Sequence, residues 1–484
     1  MLNQTFRSPR SCQPRTLVAA AGLAAVALAI PAHGQIKWSV VAMSGNSVPG
    51  AAAGVSFSAT DLGLGGPSVN NGLDCGLFAR LTGSGVTTSN DAGIYGGSPG
   101  GLGLVAREGD AAPETPAGVV FSSFLTVPQM GGSGVQAFRA AVSGPGVSPG
   151  INDEGVWTGT PGSLLLAGRT GSWAPGTGST FASLGAPAVN GIGQLVFNGN
   201  TNEPVDNTGM WFGAVGSITV IAKQAAHADD LPANVNYSTF VTSSTAPSAL
   251  INSAGQVAFR GTIVGPGVGG ANNFCMWGGT PGSLHVVVRE GMTRPDLPSG
   301  TWFLASEEPV LTDVGAMAFR GTLAGSGISA GNDVAVYRCY ILGVLDEVAR
   351  EGNGAPGLFT GNTFSNLSVT GGFGAPRMNN ANQVAFRAQV AGPAVTAASD
   401  TGIWAHNDIG ALVLVAREGD AALGTPAGTV WTGFDAASPV INNKGQVAFL
   451  ATLSGGLGSG IWATDPYGVM HLVCLLYTSP SPRD

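Results

Sequence analysis

Short apolar segments alternate with turn-forming residues along most of this chain. In one of the clearest, Val257 and Phe259 fall on one face of an extended segment and Ala258 falls on the other. Side chains of a β-strand point alternately to its two faces, so a strand that is apolar on both faces is expected between two other layers. The pattern therefore predicts short, buried β-strands instead of amphipathic helices.

This strand belongs to an octet that recurs, with Asn at its first position and Gly three residues later. Asn bonds to nearby backbone and Gly supplies a positive φ, so the octet predicts a tight turn that leads into a strand. Asn382 replaces Gly in one copy, and Asn is the residue that tolerates this conformation best after Gly. We assign a structural role to the motif residues Asn190, Gly193, Phe197, Asn252, Gly255, Phe259, Asn379, Asn382, Phe386, Asn442, Gly445 and Phe449.

The octet is part of a longer unit with a period of about sixty residues. Weaker copies of the octet end at Phe78, Phe138 and Phe319. Each unit also has a segment that ends in Trp or Tyr, such as Trp277, a strand of which four copies end in Arg-Glu, and a Phe-bearing segment (Phe57, Phe121, Phe181, Phe240, Phe303, Phe364 and Phe434). Four short strands in each of seven units predict a single all-β propeller with seven four-stranded blades. An open β-repeat array is the alternative.

The octets resemble the tandem-repeat family named after its motif, NxxGxxAF, which occurs in exported bacterial proteins. The full motif stands at residues 252–259 and 442–449, and the resemblance covers roughly residues 36–465. The resemblance implies export and β-repeats, and it gives no activity to carry over to this chain.

The two ends of the chain differ from the repeats. Arginines precede an apolar run at residues 17–30, and small residues follow it, which predicts a secretory signal peptide over residues 1–34. The tandem β-repeat domain is assigned to residues 36–473, and residues 474–484 are interpreted as a non-native tail because they match no repeat. Residues 38–42 are similar to the Arg-Glu strand and are predicted to compete with residues 470–473 for the outer position of the last blade.

Composition narrows the function classes. The chain has 77 Gly and 30 Pro among 484 residues, only 10% charged residues and a net charge of −8. This composition disfavours helical bundles and nucleic-acid binding, and no transmembrane segment follows the signal peptide. We expect an extracellular or cell-surface monomer.

Candidate chemistry is sparse. Two Gly-x-Ser-x-Gly matches, at residues 146–150 and 327–331, lie in Gly-rich connections without the strand-to-helix context of a hydrolase elbow. The histidines (His227, His285, His406 and His471) are placed at four different repeat positions, and neither a CxxC pair nor a calcium loop is present. We therefore assign no catalytic, metal-binding or cofactor-binding residue, and we expect no cofactor.

These observations predict a non-catalytic binding or surface-display scaffold, with a glycan or another cell-surface ligand as its partner. A polysaccharide-active hydrolase or lyase is one alternative, for which Glu307 and Glu308 form the outstanding carboxylate pair. A purely structural envelope protein is the other. The Arg-Glu pairs (Arg107-Glu108, Arg289-Glu290, Arg350-Glu351 and Arg417-Glu418) are predicted to form contacts between blades, and a charged ring around a ligand mouth is the alternative.

Overall fold

The computed structural model describes residues 40–59, 66–243, 245–367, 375–436 and 439–476. Within these ranges the regular structure consists of β-strands, with no helix. The strands form seven sheets, and each sheet is built from one continuous stretch of chain. The sheets are arranged as blades in a ring, which confirms the predicted all-β propeller of seven blades.

The strands follow one another blade by blade. Blades one to four contain β1 (Val55–Phe57), β2 (Ser68–Val69), β3 (Cys75–Gly83), β4 (Ala92–Gly97) and β5 (Gly103–Arg107); β6 (Val120–Phe124), β7 (Gln129–Met130), β8 (Gln136–Ser143), β9 (Glu154–Thr160) and β10 (Ser163–Arg169); β11 (Phe181–Leu184), β12 (Ala188–Val189), β13 (Leu195–Thr201), β14 (Thr208–Gly213) and β15 (Thr219–Lys223); and β16 (Asn236–Phe240), β17 (Ala249–Ile251), β18 (Val257–Val264), β19 (Phe274–Thr280) and β20 (Ser283–Arg289). Blades five to seven contain β21 (Thr301–Ser306), β22 (Val310–Leu311), β23 (Ala316–Gly325), β24 (Val334–Tyr340) and β25 (Asp346–Arg350); β26 (Thr363–Asn366), β27 (Arg377–Met378), β28 (Val384–Ala391), β29 (Thr401–His406) and β30 (Leu412–Arg417); and β31 (Trp431–Phe434), β32 (Val440–Ile441), β33 (Val447–Leu453), β34 (Ser459–Thr464) and β35 (Met470–Leu476).

Each blade has five strands instead of the predicted four, because its first strand is split. In blade four, β16 pairs with the second half of β18 and β17 pairs with the first half. A proline stands at or just before the start of the second piece in every blade, and proline has no N–H for the ladder. These prolines are Pro67, Pro128, Pro187, Pro247, Pro309, Pro376 and Pro439.

The motif Asn joins four of the blades to the next one. The Asn252 Oδ1 atom accepts bonds from the backbone N–H of Ala254 (3.1 Å) and Gln256 (2.9 Å), which closes the turn. Its Nδ2 atom donates to Gln256 Oε1 (2.8 Å) and to the backbone carbonyl of Thr312 in blade five (2.9 Å). All four bonding positions of the amide are therefore used. Asn70, Asn190 and Asn379 make the same bond to the following blade.

The ring closes between blades seven and one through a neighbouring pair of amides. Asn443 Nδ2 donates to Asn71 Oδ1 at 3.1 Å. Met470–Leu476 occupies the outer position of blade seven, opposite Trp462. Residues 40–42 form no strand, and residues 38 and 39 lie outside the described residues, so the C-terminal one of the two segments predicted to compete holds this position. The boundary set at residue 473 falls inside β35, whereas residues 1–34 and 477–484 lie outside the described residues.

Three aromatic side chains form the core of a blade. In blade four, Phe259 stacks on Trp277 with ring centroids 5.5 Å apart, and Tyr237 lies 5.0 Å from Trp277 and 6.4 Å from Phe259. The small residue two positions before the Trp makes room for its ring. At Gly155 of blade two, a Cβ atom would lie 2.5 Å from the Trp157 ring.

The register of some repeats differs from the prediction. Leu77 pairs with Tyr95 at the position of the octet Phe, so the first octet ends one residue before Phe78. Tyr237 and Trp431 occupy the position of Phe121, whereas Phe240 and Phe434 lie three residues further along. The aromatic position is therefore kept while its residue type varies, which a search for Phe alone does not detect.

Truncation of the octet Phe should destabilise every blade to a similar extent. Phe449 and Phe259 are both buried. We expect Phe449→Ala and Phe259→Ala each to lower the free energy of unfolding by about 3–5 kcal/mol, because each leaves a large cavity. Denaturant titration measures this, and a change well below 1 kcal/mol at either site would contradict the shared role.

The turn position offers a pair of opposite substitutions. Gly445 has a φ of +75°, in agreement with the prediction, and a Cβ atom there would lie 2.8 Å from Gln383 Oε1 of blade six. We expect Gly445→Val to cost about 1–3 kcal/mol. Leu73 holds the equivalent position of blade one with a φ of 73°. Leu73→Gly should instead stabilise the protein by about 0.5–1 kcal/mol in the same titration.

Candidate active site

Blade four departs from the other blades at the hairpin between its two outer strands. Ser283 follows the turn and His285 lies two residues further along β20, so both side chains are on one face of the strand. Ser283 Oγ lies 3.3 Å from His285 Nε2. Gly278 pairs with His285 across the sheet, so no side chain competes with the imidazole for that space.

An acid completes this arrangement from the loop that joins blades three and four. Asp230 Oδ2 lies 3.7 Å from His285 Nδ1 and accepts a hydrogen bond of 3.1 Å from the backbone N–H of Val286. Asp230 has a φ of 62°, a conformation that is taken by Gly176, Gly357 and Gly424 at the equivalent loop position of other blades. The protein therefore places an acid where a strained backbone favours glycine.

Acid, imidazole and hydroxyl are thus in the order that nucleophilic catalysis needs. A carboxylate facing Nδ1 favours the tautomer with the proton on Nδ1, which leaves Nε2 free to accept the proton of Ser283. The Ser283 side chain is exposed, and the side chain of His285 keeps 29% of its accessible surface. Both groups can be reached by a substrate.

The Ser283–His285 pair lies at the wall of a cavity of about 270 Å³ between blades four and five. The motif turn of blade five forms one side of this cavity, with Val314 and Gly315. The blade-five hairpin, which we define as residues 340–345, lies beside this turn, and the Ile341 N–H donates to the Gly315 carbonyl at 3.3 Å. The other lining residues are Gln256, Gly279, Thr280, Tyr340, Ile341 and Leu342.

Blade two has the same acid without the imidazole. Glu114 Oε2 accepts a bond from the backbone N–H of Leu166 at 2.6 Å, as Asp230 does from Val286. Ser163 follows the equivalent turn, but Leu165 stands where blade four has His285. The contact between the acid and the strand therefore belongs to the scaffold, and His285 is what distinguishes blade four from blade two.

The sequence prediction did not bring these residues together. Asp230 and His285 are far apart along the chain, and the loop between blades places them side by side. The prediction that the histidines hold four different repeat positions is wrong, because His285 and His471 hold the same position of the outer strand, where each pairs with the residue that follows the blade Trp. The difference between Ser163-x-Leu165 and Ser283-x-His285 after the same Thr-Pro-Gly turn is the sequence signal for this site.

Glu307 and Glu308 lie in the kink of the split first strand of blade five, away from this cavity. They are surrounded by arginines of the blade interfaces. Burial lowers the pKa of the Arg260 guanidinium, and the two carboxylates oppose that shift. Burial also lowers the pKa of Arg320 to about 10, and its guanidinium donates to the carbonyl of Arg387 at 3.1 Å. The pair therefore compensates buried positive charge and does not face a cleft as two opposed carboxylates would.

The Arg-Glu pairs do not form the predicted Arg-to-Glu contacts between blades, although Glu351 Oε1 of blade five accepts from the backbone N–H of Leu367 in blade six at 2.8 Å. Arg107 Nε donates to the carbonyl of Asn90 in its own blade at 2.8 Å, and Arg289, Arg350 and Arg417 make the equivalent bond in theirs. Glu108 points to the other face of the strand and is buried. Burial raises its pKa to about 7, and the nearby Asp91 carboxylate adds to the shift.

This raised pKa predicts a pH dependence of stability. The folded protein holds a proton on Glu108 that the unfolded chain loses from about pH 4.5 upwards. The contribution of Glu108 is therefore fully present below pH 4.5 and is lost as the pH rises to about 7. Thermal unfolding between pH 4 and 8 should show this decline, and Glu108→Gln should reduce it; an unchanged slope in the variant would assign the decline to other groups.

The two Gly-x-Ser-x-Gly segments form turns in the connections between strands. The backbone N–H groups of their serines, Ser148 and Ser329, donate to Asn152 Oδ1 and Asn332 Oδ1, and the Ser329 hydroxyl donates to Asn332 Oδ1 and not to a histidine. Among the described residues, no three His, Cys, Asp or Glu side chains are grouped closely enough to hold a metal ion. In the same part of the chain no helix is long and apolar enough to cross a membrane.

Comparison with known proteins gives a family and several propellers. Residues 18–209 and 201–475 match DUF7453, a family of unknown function. No curated protein matches the chain. The β-propeller domain of the Trilobed protease from Pyrococcus furiosus is 9% identical, with a TM-score of 0.39, and the alignment covers 86% of this chain and 98% of that one.

Two peptidases are similar to the same extent. Prolyl oligopeptidase B from Galerina marginata is 11% identical with a TM-score of 0.41, over 87% of this chain and 51% of that one. Dipeptidyl peptidase 4 from Porphyromonas gingivalis is 8% identical with a TM-score of 0.42, over 84% and 52%. This chain therefore spans about half the length of these peptidases. These similarities concern the propeller fold alone, and they do not support the prediction of a non-catalytic binding or surface-display scaffold.

Proposed function

The chain belongs to the DUF7453 family of unknown function, and we propose that it hydrolyses an ester or amide bond with Ser283 as nucleophile, His285 as general base and Asp230 as the orienting acid. The observation that carries the proposal is the sequence of contacts from Ser283 Oγ to His285 Nε2 and from His285 Nδ1 to Asp230 Oδ2. The cavity of about 270 Å³ beside them has room for a small acyl group or side chain.

The reaction follows from these positions. Ser283 Oγ attacks the carbonyl carbon of the substrate while His285 Nε2 takes the hydroxyl proton. The imidazolium then gives that proton to the leaving alcohol or amine, whose bond to the carbonyl carbon breaks. Water attacks the acyl-serine with His285 again as base, which releases the acid and restores the hydroxyl.

Asp230 has two tasks in this scheme. Its charge stabilises the imidazolium that forms during each proton transfer, and its bond to Val286 holds it beside the ring. The distances of 3.3 and 3.7 Å exceed those of short catalytic hydrogen bonds. We expect them to shorten when a substrate excludes water from the cavity.

We also propose that the enzyme is exported, because residues 1–34 have the features of a secretory signal peptide. Among the described residues, Cys75, Cys275 and Cys339 are buried and form no disulfide. Burial raises the pKa of Cys75 to about 11 and that of Cys275 to about 12, which keeps both thiols protonated and unreactive. Neither of these two thiols competes with Ser283 as nucleophile.

Hydrolysis of p-nitrophenyl butyrate tests the proposal. We expect Ser283→Ala and His285→Ala to lower kcat/KM by about 10²–10⁴-fold, since each removes a group of the proton-transfer path. Asp230→Asn keeps an oxygen for the Val286 N–H and removes only the charge, so it should lose activity without a change in melting temperature. A fluorophosphonate probe followed by peptide mapping should label Ser283.

Blade two supplies the matched controls. Ser163→Ala and Glu114→Gln change the same positions of an equivalent hairpin that has no imidazole, and both variants should keep full activity. Unchanged hydrolysis in Ser283→Ala, or a label on a different serine, would disprove the assignment.

A further inference from the structure

The blade-five hairpin differs from the equivalent hairpins of blades two and four. Those have the polar turn Thr-Pro-Gly-Ser, whereas blade five has Tyr340-Ile-Leu-Gly-Val344. Leu342 is 75% exposed and Val344 is 77% exposed, and Tyr340 and Val314 are each 49% exposed. A cluster of exposed apolar side chains is typical of a surface that binds a ligand or another macromolecule.

The hairpin is held in place from two sides. On one side, Arg294 Nη2 donates to the Gly343 carbonyl at 3.1 Å and Asp296 Oδ2 accepts from the Leu345 N–H at 2.7 Å. Arg294 and Asp296 are themselves joined by two charge-assisted bonds of 2.9 and 3.0 Å. Charge-assisted, bidentate pairs of this kind hold a defined geometry.

On the other side, the hairpin is anchored to blades four and six. Asn382 Nδ2 of blade six donates to the Tyr340 hydroxyl at 2.5 Å. Ile341 packs over Gly278 of blade four, where a Cβ atom would lie 3.1 Å from its Cγ1 atom. The backbone that carries the exposed side chains is therefore held in one conformation before a ligand binds, which lowers the conformational entropy lost on binding.

Gly278 links this hairpin to the Ser283–His285 pair. It pairs with His285 across the sheet, and Ile341 covers it from blade five. The cavity is lined by the Ser283 and His285 side chains together with Val314, Tyr340 and Leu342. A group bound to Ser283 would therefore have an apolar surface beside it.

We infer that Val314, Tyr340 and Leu342 form the specificity subsite of this protein and that they select substrates with an aliphatic or aromatic group next to the carbonyl that is attacked. The assignment of these residues as a substrate subsite rests on the proposed hydrolysis. The physical reason is burial of apolar surface, which strengthens binding with each added methylene.

A series of p-nitrophenyl esters from acetate to octanoate tests the subsite. In the wild-type protein kcat/KM should rise about two- to fourfold per added methylene until the cavity is filled. Leu342→Asp should remove this rise, so that kcat/KM no longer increases from acetate to octanoate. Leu165→Asp changes an exposed Leu of the blade-two hairpin and should have no effect. Hydrolysis without any dependence on acyl length would overturn the subsite while the proposed function stands.

A binding measurement separates the two proposals. In the Ser283→Ala variant, titration calorimetry with N-acetyl-leucine amide should show binding that falls at least tenfold when Leu342→Asp is added. If no ester is hydrolysed and this binding is still lost in Leu342→Asp, the proposed function fails and the apolar site stands. Equal binding in the presence and absence of Leu342→Asp would overturn the apolar site itself.

Discussion

The contacts between successive blades depend on the side-chain amide of the motif Asn, which recurs around the ring. At Asn252 the oxygen closes the turn of one blade, and the nitrogen reaches the backbone of the next. An aspartate at this position would lose both donors, and an alanine would leave the turn and the neighbouring carbonyl without partners. The same group therefore determines local structure and assembly, which explains why the octet begins with Asn where the blades are most alike.

Because the motif turn holds the contacts between blades, the sequence can vary in other parts of each blade. The hairpins between the two outer strands differ widely in sequence from blade to blade. Blades four and five use this freedom, since a histidine stands on one hairpin and an apolar surface on the next. Function in such a fold is expected where the repeats are unequal, on a frame that equal residues hold in place.

The propeller was predictable because its signals are local and recur. Gly255, Phe259 and Trp277 each act within one strand or turn, so their spacing alone identifies the unit. The errors arose where a position keeps its role with another residue: Leu77 replaces the octet Phe, and Tyr237 replaces the Phe of the first strand. The candidate active site was not predictable in this way, because Asp230 and His285 meet only through the packing of a loop against the following blade. The prediction for the Arg-Glu pairs was wrong for a related reason. Their Arg side chains bond to backbone carbonyls, which have no sequence signature.

Every blade is a complete sheet made from one stretch of chain, and the ring is closed by side-chain amides at Asn71 and Asn443 and not by an exchanged strand. A circular permutant opened at any boundary between blades would consequently keep all seven sheets intact. Gene duplication can add or remove a whole unit in the same way, because no strand has to find a partner from the opposite end of the polypeptide. The number of blades is thus an evolvable property of this architecture, set by how many units fit around the axis with their amides in contact.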